Sequence, residues 1–254
     1  MVRKEISCQK ENGLFVMAIN SAPRDSTELS CLADALAETC VSIAADNSVN
    51  VVLVTGGEDA FHFGEIEAYP FPEDAEGTGY VSLADPLAGI DCPVIAAIRG
   101  RATGQGLELL LACDIRLAAE GSSFCLPQLR TGMIPSDGGT QRLSGLVGKA
   151  KALEMVLTGQ IIDGQEARRI GLVNILLPPA ELMTAAMDMA RKMALQAPLS
   201  LRYAKEAISK GMEMNINQGL RLEADLYFLL HTTRDRREGI EAFQGKRKPE
   251  FEGK

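Results

Sequence analysis

Residues 14–55 alternate between two short apolar runs and one longer helical pattern. Residues 14–19 and 51–55 are apolar runs of strand length, and each is followed by turn residues. Between them, apolar residues recur at helical spacing from about residue 29 to residue 45, and we expect Ser26 or Thr27 to cap this helix. The order strand, helix, strand predicts parallel pairing of the two strands through a crossover helix, and therefore an α/β fold class.

A glycine turn separates another buried strand from a short apolar helix. Residues 93–98 are strand-like, residues 107–112 follow a helical pattern, and the turn Gly-Gln-Gly at 104–106 lies between them. Small residues at such a turn leave backbone N–H groups accessible at the start of the helix, which creates an anion site. A purely structural turn remains an alternative. A dinucleotide fingerprint is disfavoured because Leu109 replaces its last glycine. Glu108 is either a partner of the helix dipole or a carboxylate beside the anion site.

The second half of the chain differs from the first. From residue 179 onward the sequence is helical by pattern, and its composition shifts near residue 197. We therefore predict an α/β core over residues 1–196, followed by a helical region over residues 197–254. Residues 64–91 contain prolines and an acidic stretch, which indicates a surface loop with one short helix. This loop either covers a site or is a plain solvated connection.

Composition excludes several classes of function. The net charge of −8 disfavours nucleic acid as the main partner. The two histidines, His62 and His231, are far apart in sequence, and none of the six cysteines forms a C-x-x-C pair, so we expect no metal site. No apolar run is long enough to span a membrane, and the N-terminus lacks the apolar core of a signal peptide. We therefore expect a cytoplasmic protein that has no membrane partner.

Three stretches of the sequence closely resemble the crotonase superfamily, the enoyl-CoA hydratase/isomerase family. They are PVIAAIRGRATGQGLELLLACDIRLAAE, FCLPQLRTGMIPSDGGTQRL and GLVGKAKALEMVLTGQIIDGQEARRIGLVN, and the C-terminal DRREGIEAFQGKRKPEF looks similar as well. The resemblance implies a crotonase-like spiral of ββα units with a helical C-terminal trimerisation region. It implies acyl-CoA as the substrate, no cofactor besides that thioester, and a homotrimer or a dimer of trimers.

The resemblance also implies an active site. In this family two backbone N–H groups stabilise a thioester enolate, and by position they belong to Gln105 and to the loop at Gly64 and Glu65. Hydratases of the family use two glutamates; Glu108 matches the first, whereas Gln128 stands at the place of the second. An amide cannot exchange a proton near neutral pH, so this chain departs from the two-glutamate pattern.

Asp137 is a candidate replacement for the missing carboxyl group. Dienoyl-CoA isomerases and some relatives that act on ring substrates look similar in placing an aspartate there. The competing interpretation is that Asp137 only caps the helix that begins near Gly138. The two roles are compatible with each other.

For binding of CoA, the resemblance points to Arg24, Ile66, Lys246 and Lys248. Exposed basic residues are usually only solvated, so the three basic residues in this set have that alternative. The function that this sequence favours is an acyl-CoA hydro-lyase that adds water to an α,β-unsaturated acyl-CoA or removes it. The alternatives are a double-bond isomerase of enoyl-CoA or dienoyl-CoA, a hydrolase of a cyclic acyl-CoA, and a catalytically inactive CoA-binding subunit.

Overall fold

The computed structural model describes residues 5–63 and 81–254. In chain order its strands are β1 (Ile6–Glu11), β2 (Leu14–Ile19), β3 (Val51–Gly56), β4 (Phe61–His62), β5 (Val94–Ile98), β6 (Arg101–Thr103), β7 (Ile115–Ala119), β8 (Ser123–Cys125), β9 (Ile162–Asp163) and β10 (Ile175–Leu177). A six-stranded sheet has the order β1-β2-β3-β5-β7-β10, and a four-stranded sheet has the order β4-β6-β8-β9.

The larger sheet is parallel except at one edge. β2 pairs with β3 in parallel, with Leu14 opposite Val51 and Ile19 opposite Gly56. The pairs β3–β5, β5–β7 and β7–β10 are parallel too. The crossover predicted from residues 14–55 is therefore confirmed.

Sequence patterns did not indicate β1 or the smaller sheet. β1 pairs with β2 in an antiparallel hairpin, and its last residues are polar and exposed. Asn12 and Gly13 at the hairpin turn both have positive φ, which is the geometry of a tight two-residue hairpin loop. The strands of the smaller sheet have only two or three residues, which is too short for any periodicity to be visible.

The helices in chain order are α1 (Ser26–Ala44), α2 (Ala84–Ala88), α3 (Gln105–Leu111), α4 (Gly139–Val147), α5 (Lys149–Thr158), α6 (Gly164–Arg169), α7 (Leu182–Ala194), α8 (Pro198–Gly211), α9 (Ile216–Leu230) and α10 (Arg234–Gln244). A 3-10 turn covers Gln128–Thr131. The prediction that Ser26 or Thr27 caps α1 was wrong. The extended residue Asp25 is the cap, and its carboxylate accepts the N–H of Glu28 at 2.8 Å.

The larger sheet is buried on both faces, as parallel sheets generally are. One face packs on α1. Met17 and Val54 of the sheet and Leu36 of α1 are fully buried in one cluster, which also contains residues of the smaller sheet. Helix α7 covers the other face, and its Ala186 and Ala190 are buried in the same cluster as residues of β3, β5 and β7. These layers hold the C-terminal ends of the strands, and the turns that follow them, in fixed positions.

Helix α8 packs on α9 and is tied to the sheet region by an ion pair. Lys205 Nζ lies 2.8 Å from Asp114 Oδ2 and donates to the carbonyl of Cys92 at 3.0 Å. Several large apolar side chains of this helical region are exposed, among them Ile208, Met212 and Phe228. The division at residue 197 stays a prediction. None of the described helices is both long and apolar enough to cross a membrane.

Candidate active site

The glycine turn brings the start of α3 against β4. Gly104 has φ of 57°, in the left-handed region that favours glycine. A Cβ atom on Gly106 would lie 2.1 Å from the carbonyl oxygen of Phe61, so no side chain fits there without displacing β4 or α3. Gln105 is the first residue of α3, and its backbone N–H is therefore at the N-terminal end of the helix.

Glu108, one turn into α3, is almost completely buried, with 1% of its surface exposed. Its Oε1 atom accepts the backbone N–H groups of Asp137 at 2.7 Å and Gly139 at 2.8 Å. The pKa of Glu108 is raised to about 7. Burial is the main cause and the nearby charge of Asp137 adds to it, whereas the hydrogen bonds to this carboxylate partly offset the increase. A carboxyl group with this pKa can accept and return a proton near neutral pH.

Gln128 opens the 3-10 turn and faces Glu108. Its Nε2 donates to Glu108 Oε2 at 2.9 Å. Its Oε1 is buried and, within residues 5–63 and 81–254, has no hydrogen-bond partner. The structure thus brings together Glu108, Gln128 and Asp137, which the sequence places 20 and 29 residues apart.

The side chain of Asp137 binds the start of α2, the short helix that the sequence indicated within residues 64–91. Its Oδ2 accepts the N–H groups of Leu83 at 2.7 Å and Ala84 at 3.0 Å, and its Oδ1 accepts the hydroxyl of Ser82 at 2.6 Å. The prediction that Asp137 caps the helix near Gly138 was wrong. Gly138 itself is the N-cap of α4 and no side chain caps that helix, because the Asp137 carboxylate points to the start of α2 instead.

Ser82 is a site neighbour that the sequence analysis missed. Its hydroxyl donates to Asp137 and accepts the N–H of Asp85 at 3.0 Å. The spacing Ser82-x-x-Asp85 is a capping-box pattern, and it is the signal from which the start of α2 was predictable. The side chain of Gln105 also reaches this corner, donating to the carbonyl of Val81 at 2.6 Å.

The remaining predicted site residues fall into two groups. Some lie outside the described part of the chain, and the others make no recorded contact with Glu108, Gln128 or Asp137. Gly64, Glu65 and Ile66 lie outside the described residues. Arg24 is exposed and forms an ion pair with Glu28 at 2.9 Å. Lys246 and Lys248 are exposed beyond the end of α10. The CoA-binding roles of these residues stay predictions.

His62 on β4 makes a local contact, with its Nδ1 2.8 Å from Thr103 Oγ1. Partial burial lowers the pKa of this imidazole. Among the described residues no group of three or more His, Cys, Asp or Glu side chains is arranged to hold a metal ion.

The chain is similar to known proteins over nearly its whole length. Residues 9–254 match the family model described as enoyl-CoA hydratase/isomerase. The chain is 36% identical over 246 residues to a mitochondrial enoyl-CoA hydratase of Pongo abelii, covering 95% of this chain and 84% of that protein. It is 35% identical over 257 residues to the 2,3-dehydroadipyl-CoA hydratase of Escherichia coli, covering 98% and 99% of the two chains. The crystal structure of an enoyl-CoA hydratase from Bacillus anthracis superposes with a TM-score of 0.88 at 32% identity, covering 99% of this chain and 100% of that one.

Proposed function

The chain belongs to the enoyl-CoA hydratase/isomerase family of the crotonase superfamily, and from this premise we propose that it adds water to an α,β-unsaturated acyl-CoA. Members of this family act on acyl-CoA substrates, so the chain is an enzyme of acyl-CoA metabolism. The mixed α/β fold implied by the resemblance is confirmed by the superposition on a solved hydratase.

The proposed reaction begins with a polarised thioester. The N–H of Gln105, together with a second donor that we assign to Gly64 or Glu65, hydrogen-bonds the carbonyl oxygen of the acyl group. Water then adds to C3 while Glu108 removes its proton, and the C2=C3 electrons move into the thioester enolate. Donors preorganised for an oxyanion are commonly worth about 3–4 kcal/mol each in the transition state.

The observation that carries this proposal is the burial, the hydrogen bonding and the raised pKa of Glu108. It is buried beside the glycine turn, it is held by two backbone N–H groups, and its pKa is raised to about 7. A carboxylate held only as a helix-dipole partner needs neither the burial nor the fixed orientation. This combination favours a proton-transfer role over the purely structural interpretation.

Double-bond isomerisation is the second candidate, and one observation favours it. Gln128 is an amide, so Glu108 is the only member of the Glu108–Gln128 pair that can exchange a proton. One carboxylate that takes a proton from one carbon and returns it to another is sufficient for a shift of the double bond. Hydration with one carboxylate requires in addition that water be held in place by some other group.

We further propose a homotrimer or dimer of trimers, built through the helical region, that resides in the cytoplasm and needs no cofactor besides the CoA thioester. The exposed apolar side chains of α8, α9 and α10 support an interface there. Arg24, Lys246 and Lys248 are proposed to contact the CoA phosphates.

The experiment is a mass-spectrometric screen of straight-chain, branched, aromatic and cyclic enoyl-CoA substrates. A gain of one water supports hydration, an unchanged mass with a new chromatographic position supports isomerisation, and release of free CoA indicates hydrolysis. Turnover that is absent with every substrate, while CoA thioesters still bind, would contradict the enzymatic proposal. The Glu108→Gln variant serves as the control for contaminating host hydratases.

A further inference from the structure

The two oxygens of the Glu108 carboxylate are not equivalent. Oε1 accepts two backbone N–H groups, from Asp137 and Gly139, which occupies both of its usual acceptor positions. Oε2 accepts one hydrogen bond, from Gln128 Nε2 at 2.9 Å. One acceptor position on Oε2 therefore remains for a reacting group, and Oε2 is the oxygen that gains and loses the proton.

The amide of Gln128 has its orientation set by this contact. With Nε2 committed to Glu108, the other end of the amide is the acceptor Oε1, which is buried and has no partner within the described residues. A buried acceptor without a donor is destabilising, and such atoms in native proteins commonly bind water or ligand groups. Since both ends of a carboxamide are joined to one carbon, a small molecule that donates to Gln128 Oε1 can also reach Glu108 Oε2.

We propose that Gln128 is the residue that positions the attacking water, with the water donating one hydrogen to Gln128 Oε1 and the other to Glu108 Oε2. This inference rests on the hydratase function proposed above and deepens it. It assigns a specific task to the amide that stands where a second carboxyl group was expected. Holding the water by both hydrogens directs its lone pair towards C3 of the bound enoyl group.

The protons balance with Glu108 as the single carboxylate that transfers them. The O–H bond of water to Glu108 breaks as the O–C3 bond forms, and the proton stays on Oε2. The electron pair of the enolate then takes that proton at C2, which gives the 3-hydroxyacyl thioester and restores the carboxylate. Asp137 does not take part, because its own carboxylate oxygens accept the donors of Ser82, Leu83 and Ala84 at the start of α2.

The charged groups on the elements around α3 are engaged with other partners. His62 of β4 contacts Thr103, Arg101 of β6 pairs with Asp59, and Arg142 of α4 pairs with Asp85 of α2. Asp137 is the ionisable neighbour whose charge acts on Glu108. The pH dependence of the reaction thus reports on Glu108.

The test compares Gln128→Leu, which removes both ends of the amide, with Gln128→Glu, which restores an acceptor. Two activities are measured at about pH 9, where Glu108 is ionised: hydration of a short straight-chain enoyl-CoA, and exchange of the α-protons of the matching saturated acyl-CoA with D2O. Exchange needs Glu108 and the oxyanion donors but no attacking water. Gln160→Leu is the matched control, because Gln160 Nε2 donates to Glu154 Oε1 at 2.7 Å on the surface.

We expect Gln128→Leu to lose about 10- to 100-fold in kcat for hydration, while α-proton exchange stays within about threefold of the wild type. The acidic limb of its exchange profile moves to higher pH, because the hydrogen bond from Gln128 that lowers the pKa of Glu108 is gone. Gln128→Glu is expected to hydrate faster than Gln128→Leu at this pH, and the acidic limb of its profile lies above that of the wild type because a second carboxyl group beside Glu108 raises the pKa of the pair. Gln160→Leu is expected to change neither activity.

Three results overturn the inference alone. One is wild-type hydration by a folded Gln128→Leu enzyme. Another is a parallel loss of hydration and exchange, which means that Gln128 acts on Glu108 and not on water. Equal loss of hydration in Gln128→Leu and Gln128→Glu also overturns it, because an acceptor then fails to rescue. A wild-type enzyme that exchanges α-protons but hydrates none of the substrates contradicts the proposed hydratase function itself, and the water site with it.

Discussion

Replacing Asp137 by alanine removes the acceptor for three donors at the start of α2. The N–H groups of Leu83 and Ala84 are buried, and without the carboxylate each becomes an unsatisfied donor, at a cost of about 1–3 kcal/mol per group. The hydroxyl of Ser82 is only part-buried and can turn towards other acceptors, so it adds little. We therefore expect Asp137→Ala to lower the free energy of unfolding by about 2–6 kcal/mol, which exceeds the loss of about 1 kcal/mol typical of an exposed helix cap.

The assay is urea unfolding followed by circular dichroism at one fixed protomer concentration, because association contributes to stability. Asp163→Ala is the matched control. Asp163 caps α6 through a single hydrogen bond to the N–H of Glu166 at 2.8 Å, so its loss is expected to cost about 1 kcal/mol. If Asp137→Ala is no more destabilised than Asp163→Ala, the anchoring role inferred from the contacts of Asp137 is refuted.

A conservative substitution separates anchoring from proton transfer at Asp137. An asparagine keeps an oxygen for the N–H groups of Leu83 and Ala84 and places an N–H₂ group near Ser82 Oγ, so most of the anchoring contacts survive. The anchoring role predicts that Asp137→Asn retains α-proton exchange with D2O. The proton-donor role suggested by the sequence predicts that exchange is abolished in the same variant.

Four further predictions follow from the site and the surface. Glu108→Gln lowers kcat by roughly 100-fold or more in steady-state assays, while the Kd for a saturated acyl-CoA measured by calorimetry changes little, because the variant removes the base and not the binding contacts. The wild-type kcat/KM rises with pH through about 7, because the active form of Glu108 is the ionised carboxylate, and a profile with no inflection between about pH 6 and 8 contradicts this. Gly106→Ala costs about 1–3 kcal/mol of stability in urea unfolding, because the new Cβ would lie 2.1 Å from the carbonyl oxygen of Phe61. Light scattering gives the mass of a trimer or a hexamer, and a monomer at micromolar concentration is the contrary result.

Much of the fold was predictable because its central strands are apolar and its helices are punctuated by turn residues. The strand, helix, strand order of residues 14–55 and the strand at residues 93–98 agree with the sequence patterns. The smaller sheet was not predictable, since two- and three-residue strands carry no periodicity. Its strand β4 nevertheless packs closely against Gly106 of the glycine turn. Local sequence patterns thus predict the central strands and the longer helices. The short strands, such as β4, depend on tertiary contacts that such patterns do not show.

The central polar cluster of the candidate site was predictable from the sequence, whereas its neighbour Ser82 was not. Glu108, Gln128 and Asp137 were all singled out, and the structure places them in contact. The capping interpretation of Asp137 was wrong because it assumed the helix that follows Asp137 in sequence, whereas the proton-transfer role of Asp137 stays a prediction. Its actual partner, the start of α2, lies more than 50 residues earlier in the chain, and only the folded structure brings it near.

The amide at Gln128 and the carboxylate at Asp137 are best understood together. Glu108 already has one negative neighbour, because the charge of Asp137 acts on it and raises its pKa. A carboxylate at position 128, within hydrogen-bond distance of Glu108, would add a second, and closely spaced carboxyl groups cannot all ionise near neutral pH. The amide avoids this repulsion and donates a hydrogen bond that stabilises the ionised form of Glu108. In this chain Asp137, which anchors the start of α2, and the buried Glu108 therefore lie in contact because the third polar position carries no charge.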